Sequence, residues 1–321
     1  DDRITIYADR SRNLGAADPF GRELTLSLGC ALANFQVAAA HYGYGLSIHI
    51  NPGRLEPTAS RDPVEVAHIL LKPGEAGAAP LKALFDTIGA RHTNRGPYLR
   101  KKPIPAVALE SLFGAYGSDV RIVPLSEQAR REDISSIIME ATERFCADAQ
   151  MSADAGHWYR TGMADVLKHR DGVVVDAAGL TPFRTAMAKL LPDQSIDSTN
   201  QYWRDATRMV QIPTAALFGL VLVRDRMDVV QAVTAGRAWQ LCQLTATHFG
   251  LAAQPLNQPV EMADRNLVLG RQDFYKSALT GLTDGKDWDA TFIFRLGFAE
   301  RPGPLTPRRP LADVLRKTGM A

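Results

Sequence analysis

The chain is 321 residues long, 45% hydrophobic and 22% charged, with 37 basic against 35 acidic side chains and a formal net charge of +2. At about 150 residues per domain this is roughly two domains, enough to bury a core without disulfides or metal. The near-balance of charge excludes a strongly basic nucleic-acid binder and a polyanionic tail. No apolar run is read as approaching the roughly 20 residues of a membrane span, so neither nucleic acid nor membrane is expected as a partner.

In chain order, Asp1 to Tyr7 opens as a strand, with neither an initiator methionine nor a positive-then-apolar leader. That start reads as processed or trimmed and leaves the location open, with the cytoplasm favoured. A strand is predicted at Thr5 to Ala8, then a helix from Arg22 to Tyr42 carrying Leu26, Ala33, Val37 and Ala40 at helical spacing. Strands follow at Tyr44 to Ile50 and Val64 to Leu71, and Lys72 to Pro80 is the clearest linker. Helices are predicted at Leu81–Ala90, Ala106–Ala115, Ser126–Ala149 and Leu180–Leu190, then strand Ala215–Val223, helix Met227–Phe249 and strand Ala290–Leu296. The chain leaves through the proline-rich Arg301 to Pro310, which should run extended.

An internal repeat is the first organisational signal. Without gaps, an offset of 207 aligns Gly29–Pro52 with Gly236–Pro259 and matches seven of 24 positions, among them Gly29/Gly236, His41/His248, Gly43/Gly250 and Pro52/Pro259. Chance gives about one or two identities at a fixed offset. Two similar amphipathic helices would explain part of this. The other reading is a pair of related half-modules, a fused pseudo-dimer whose small helix residues let the two copies approach across a pseudo-twofold axis.

Cys30, Cys146 and Cys242 are far apart with no CxxC, and the seven histidines form no HExxH, so no metal site is expected and a reducing compartment is compatible. There is no GxGxxG, no GxxxxGK[ST] and no GxSxG, which argues against a Rossmann site, a P-loop or a nucleophile elbow. The chemistry-bearing segment is Ala90 to Tyr98. It sets Arg91, His92, Thr93, Asn94 and Arg95 in five residues at a helix end, a set of forked and short donors that suits a phosphate dianion. It also reads as a plain surface loop. Arg308 and Arg309, held between Pro307 and Pro310, form a second basic element or a solvated tail. Gly250 to Pro259 brings amide side chains after Pro255, which suits the edge of a flat heteroaromatic ring. Asp9, Arg10 and Arg12, ahead of Asp18–Pro19, read as a structural ion-pair corner. Trp158, Tyr159, Tyr202 and Trp203 read first as core and second as the cap of a pocket.

Together, Asp9–Arg12 through Asp18–Leu24, Arg91–Arg95, Gly250–Pro259 and Thr306–Leu311 resemble the nitroreductase family, and more narrowly its Acg-like branch, in which two nitroreductase halves are fused. The resemblance implies an α+β fold: a nitroreductase-like mixed β-sheet surrounded by helices, internally duplicated as a fused pseudo-dimer. It implies a truncated first half over 1–78 and a second half over 79–321, with a lid at about 126–205 and an extended arm at 301–321. It implies FMN as cofactor, with Arg91, His92, Thr93 and Arg95 on its phosphate, ribityl chain and pyrimidine edge, and Arg308 with Arg309 closing over the phosphate. Pro255, Leu256, Asn257 and Gln258 fall on the strand passing the flavin ring, where many relatives have Glu-Gly in place of Asn257–Gln258.

The family's Ala-Pro-Ser-x-x-Asn-x-Gln-Pro-Trp segment, which lines the other side of the flavin, has no counterpart in these residues, and its loss implies weak FMN binding or none. The first half also has no basic motif of its own, so one FMN per chain is expected at most. The implied activity is ping-pong two-electron transfer from NADH or NADPH to a nitroaromatic or quinone-like acceptor, the flavin itself carrying the chemistry, with a monomer slightly favoured over a homodimer. The alternative is an FMN-sequestering protein whose lid, with His157, Trp158 and Arg160 as candidate cap, closes the flavin site.

Overall fold

The computed structural model describes residues 3–74, 79–190, 195–283, 285 and 287–316. Its first unit is β1 (Arg3–Ala8), α1 (Arg22–His41), β2 (Tyr44–Ile50) and β3 (Val64–Pro73), with an antiparallel sheet in the order β1-β3-β2. Ile4, Ile6, Leu46, Ile48 and Ile69 build its apolar side, which takes Leu32 and Val233 from two helices. Residues 75–78 of the expected linker lie outside the described residues.

A helical stretch and the second sheet follow: α2 (Ala79–Lys82), α3 (Thr87–Ala90), α4 (Ala106–Leu112), β4 (Gly114–Ala115), β5 (Val120–Leu125), α5 (Gln128–Ala147), α6 (Ala149–Gly156), β6 (Tyr159–Arg160), α7 (Met163–His169), β7 (Val173–Val174), α8 (Pro182–Leu190) and α9 (Ile196–Ala206). A wide π turn over Thr207–Gln211 leads into α10 (Ile212–Thr214), and then come β8 (Leu217–Val223), α11 (Val229–His248), β9 (Ala252–Pro255), α12 (Gln258–Val268), α13 (Phe274–Gly281) and β10 (Asp289–Gly297). The five-stranded sheet runs β4-β5-β8-β10-β9, antiparallel throughout its ladders. Among the described residues, parallel pairing is confined to β6–β7 and to a single bridge between Thr93 and Ala253.

β8 explains the continuous apolar run LFGLVLV, because both faces of the strand are covered. Phe218, Leu220 and Leu222 meet Ile134, Ile138 and Phe145 of α5. Leu217, Val221 and Val223 face the other way, onto Ala235, Trp239 and Cys242 of α11.

The two sheets share a connectivity. Strand, helix, strand, strand gives sheet order first-third-second in β1-α1-β2-β3 and again in β8-α11-β9-β10. Both helices are 20 residues long, and their bounds differ by the offset of 207 seen in the sequence. Each ends in a left-handed glycine, Gly43 (φ 82°) and Gly250 (φ 71°), the conformation that terminates helices cheaply only with glycine. The helices touch at Gly29 and Gly236. A Cβ on Gly29 would sit 2.0 Å from the Val233 carbonyl oxygen, and one on Gly236 would sit 1.8 Å from that of Leu26. Leu26 and Val233 are themselves 207 apart, so the contact is reciprocal.

Several expectations change. α1 is a 20-residue helix with an apolar window of mean hydropathy 1.2, long and apolar enough by composition to cross a membrane, contrary to the reading of the sequence. Leu26, Leu32, Ala33 and Val37 are nevertheless buried against α11 and the first sheet. The helix expected over 81–90 is two short ones, and the one expected over 126–149 breaks at Asp148, whose carboxylate caps α6 through Gln150 and Met151. α5 belongs to the core beneath the sheet, so the cover over the site comes from residues after it. β5, α9, α12 and α13 were not anticipated; Pro259 in the first turn of α12 was a readable signal.

Gly29→Ala or Gly236→Ala should lower stability by about 3 kcal/mol, because the added methyl meets backbone that cannot move aside. Gly89→Ala, with open space around it, should stay within about 0.5 kcal/mol; urea midpoints compare the three.

Candidate functional site

A cavity of about 330 Å³ lies where β9 hands over to α12, and one of about 700 Å³ adjoins it; Arg95 lines both. These are volumes that hold small ligands.

The basic segment reaches this place because an extended run follows α3. Thr93 pairs with Ala253 of β9, and the Asn94 amide donates to the Ala253 carbonyl at 3.4 Å. Asn94 is buried and organises the turn: its Nδ2 donates to the Arg301 carbonyl (2.9 Å), its Oδ1 accepts from the Gly96 amide (2.9 Å), and its carbonyl accepts from the Tyr98 hydroxyl (2.7 Å). Beneath it Arg295, fully buried, donates to the Gly96 carbonyl (2.6 Å), Gln254 Oε1 (2.7 Å), the Gln211 carbonyl (3.1 Å) and Thr214 Oγ1 (3.1 Å), with its guanidinium 3.9 Å over the Tyr98 ring. Burial pulls its pKa down to about 10, with the Tyr98 hydroxyl opposing. One side chain thus fastens the basic segment, β9 and the π turn together.

Arg91 donates to Gln243 Oε1 of α11 at 3.1 Å, and its carbonyl accepts from Arg308 Nη2 at 3.1 Å. Burial lowers the Arg91 pKa, and the Arg308 charge adds to that. Two like charges side by side, one of them half-buried, favour an anion between them. Arg95 donates to the Ala177 carbonyl at 3.2 Å; burial lowers its pKa against the opposing pull of Tyr159, Tyr98 and Tyr202. His92 sets Nδ1 against the Ala90 carbonyl (2.9 Å), with its ring beside Gly303. Arg309 is placed elsewhere than the resemblance implied: it donates within its own arm, to the Asp313 carbonyl (2.7 Å).

Pro255, Asn257 and Gln258 line the smaller cavity, whereas Leu256 is a core side chain whose amide donates to the Ile293 carbonyl (2.9 Å). Asn257 Oδ1 accepts from the Ile293 amide at 3.1 Å, and its Nδ2 donates to Glu23. Of the candidate cap, Trp158 lines the cavity with Tyr159, Tyr202 and Trp203. His157 is exposed. Arg160 is a buried brace rather than a cap. It donates to Asp171 Oδ1 (2.7 Å) and to the His157 carbonyl (2.7 Å), while Arg12 reaches the other oxygen of Asp171 (2.7 Å).

The sequence reading missed the acidic groups on the cavity floor. Asp18 caps α1 by accepting from the Glu23 and Leu24 amides (both 3.0 Å). Arg22 is fully buried and donates to Asp264 Oδ2 (2.6 Å) and the Thr291 carbonyl (2.6 Å). Arg226 holds the second oxygen of Asp264 at 3.2 Å. Glu23 and Glu261 line the cavity, and burial raises the pKa of both, with the Glu23 charge adding to the rise at Glu261 and Arg22 opposing it at each. Burial also pushes the Cys30 thiol up to about 12, against the pull of Arg91, which leaves it no thiolate at neutral pH.

No family model matches the chain. Among curated proteins it is 26% identical over 318 residues to "Putative NAD(P)H nitroreductase Rv3131" of Mycobacterium tuberculosis, covering 97% of this chain and 82% of that one. It is 24% identical over 321 residues to "Putative NAD(P)H nitroreductase acg" of the same organism, covering 98% and 87%. The chain is similar to nitroreductases along nearly its whole length. Among solved structures, the FMN-dependent nitroreductase NfnB from Mycobacterium smegmatis in complex with NADPH aligns at 16% identity and a TM-score of 0.45, covering 74% of this chain and 98% of that one. A nitroreductase with bound FMN from Bacteroides fragilis aligns at 15% and 0.41, covering 73% and 98%.

Arg295→Met should cost about 3 kcal/mol, because several buried acceptors lose their donor at once. Arg309→Ala should stay within about 0.5 kcal/mol. Thermal unfolding of both variants tests this.

Proposed function

We propose that the chain is an FMN-dependent oxidoreductase of the nitroreductase type. It takes two electrons from NADH or NADPH and passes them, in alternating half-reactions, to a nitroaromatic or quinone-like acceptor. The observation that carries this reading is the meeting of Arg91 and Arg308, 217 positions apart in the sequence, next to a strand whose continuation, Pro255 to Gln258, lines a cavity with Arg95. The nitroreductase relatives span most of the chain and support the same class.

The residues present fit the cofactor. Gln258 Oε1 is a buried acceptor with no partner among the described residues, and Arg95 is a half-buried cation facing the same space. Bound FMN would supply the hydride-transferring ring. Arg91, with Arg308, would hold its phosphate. Arg95, which lines the cavity, would supply positive charge to the polar part of the ring. Asn257, fixed between Glu23 and Ile293, keeps the strand end rigid. Trp158 and Tyr159 exclude water from the cavity. Thr93 and His92 complete the polar end.

We further propose that 1–78 and 79–321 derive from one duplicated half, which the repeated strand-helix-strand-strand order supports, and that the chain works as a monomer. The second reading, FMN sequestration, is favoured by the aromatic wall of Trp158, Tyr159, Tyr202 and Trp203, which takes up space beside the ring site.

Absorbance spectra of the purified chain, before and after FMN addition and desalting, test the cofactor; paired flavin bands are expected to remain. Arg91→Ala should weaken FMN binding by about 1.5–3 kcal/mol, the scale of a charge-assisted hydrogen bond, and unchanged retention would remove Arg91 from the phosphate site. Without oxygen, NADPH or NADH should bleach the bound flavin. Yellow colour that persists until dithionite is added would favour sequestration.

A further inference from the structure

This inference rests on the flavin reading of the smaller cavity and adds a polar wall to it. Glu23 opens α1 and Glu261 stands in the first turn of α12; both line the smaller cavity, and Asn257, which caps α12, donates to Glu23. The donors nearby are committed. Arg22 puts its short bonds on Asp264 and the Thr291 carbonyl, and it reaches Glu23 only at 3.4 Å. Arg226 is held by Asp264 and Asp273. The amides near Asp18 are spent on Asp18, and Asn257 Nδ2 serves Glu23. Glu261 Oε2 is buried with no donor in reach among the described residues.

Two carboxylates that line one small cavity, one of them with a buried oxygen that no donor reaches, resist being ionised together. A single proton between them turns two acceptors into a donor and an acceptor. A second buried atom points to a ligand: Gln258, 2% exposed, leaves Oε1 unpartnered in the cavity lining. Gln258 and Glu261 are three residues apart on α12, so they share one helix face. That face presents an acceptor beside the carboxyl pair.

We propose that Glu23 and Glu261 share one proton at neutral pH, and that this proton and Gln258 Oε1 together receive the polar edge of a heteroaromatic ring that carries a hydrogen-bond acceptor next to an N–H. The charged and titratable groups facing the pair are Asp18 and Arg22 from the start of α1, Asp264 with Arg226 behind it, and Arg95, Tyr159 and Tyr202 across the cavity. The sign follows from the shared proton. Binding is complete while the pair keeps it and is lost as pH rises through the pair's titration, because the doubly ionised pair offers no donor and repels an acceptor.

Infrared spectra of the chain at neutral pH test the proton directly, and FMN serves as the probe for the wall. The carbonyl stretch of a protonated carboxyl should be present in the wild type and absent from both Glu261→Gln and Glu23→Gln, with circular dichroism checking that the variants fold. A wild type without that band overturns the shared proton. FMN affinity of the wild type, read by fluorescence quenching, should fall about tenfold per pH unit once the pair ionises. Glu261→Gln, whose amide donor does not ionise, should bind FMN with no such fall. A wild-type affinity that stays flat with pH, with the band present, overturns the role in binding. No FMN binding at any pH, with the band present, overturns the flavin reading of the cavity and leaves the shared proton standing.

Discussion

Two helix backbones come within van der Waals reach of each other because glycine stands at the crossing on both sides. The Gly29–Gly236 approach lets α1 and α11 meet backbone to backbone where they cross. Asn34–Gln240 and Gln36–Arg237 hydrogen bonds continue the seam at 2.8 and 3.1 Å. The rest of the site depends on this crossing. It lays the three-stranded sheet over one end of α11 and brings the start of α1, with Arg22 and Glu23, up to the start of α12. A wider separation would leave Arg22 short of Asp264, 242 residues away in sequence.

Buried charge is handled in two different ways around the cavity. Below the floor, Arg22 and Arg226 share Asp264, a cluster in which losing one member strands the others. Beside the basic segment, Arg295 instead spends its protons on carbonyls, an amide oxygen and a hydroxyl. That arrangement holds irregular backbone at fixed positions, since the turn over Asn94 to Tyr98 and the π turn ending at Gln211 have acceptors that no ladder satisfies. Rigid backbone around a pocket is what lets Arg95, Asn257 and Gln258 face it in a defined geometry. The cover, by contrast, is braced at its base by Arg12, Arg160 and Asp171, and it offers aromatic rings to the cavity.

The parts of the site that were legible in the sequence were local. Arg91 to Arg95 is dense in donors within one short run, and Pro255 to Gln258 follows a helix-ending glycine, so composition marks both. The repeat was legible because it preserved glycines and helix length, which are single-residue properties. The surroundings of Arg160 and Leu256 come from outside their own segments: Asp171 for the one, the core around Ile293 for the other. Glu23 and Glu261 gave no signal at all, since each looks like an ordinary acid at the start of a helix until the other stands next to it.

By itself the sequence determined the long helix of each repeated unit and all of their strands but β9, the glycine positions that permit their crossing, and the two basic segments. These follow from periodicity, backbone conformation and local composition, all of which act within a few residues. Only the tertiary structure decided which charges became partners, which of Arg308 and Arg309 reaches Arg91, and which carboxyls share the cavity floor. Burial and pairing over some 240 positions are set by how whole elements pack; a carboxyl's protonation depends on the water and the charges it meets there, and no stretch of chain carries that information alone.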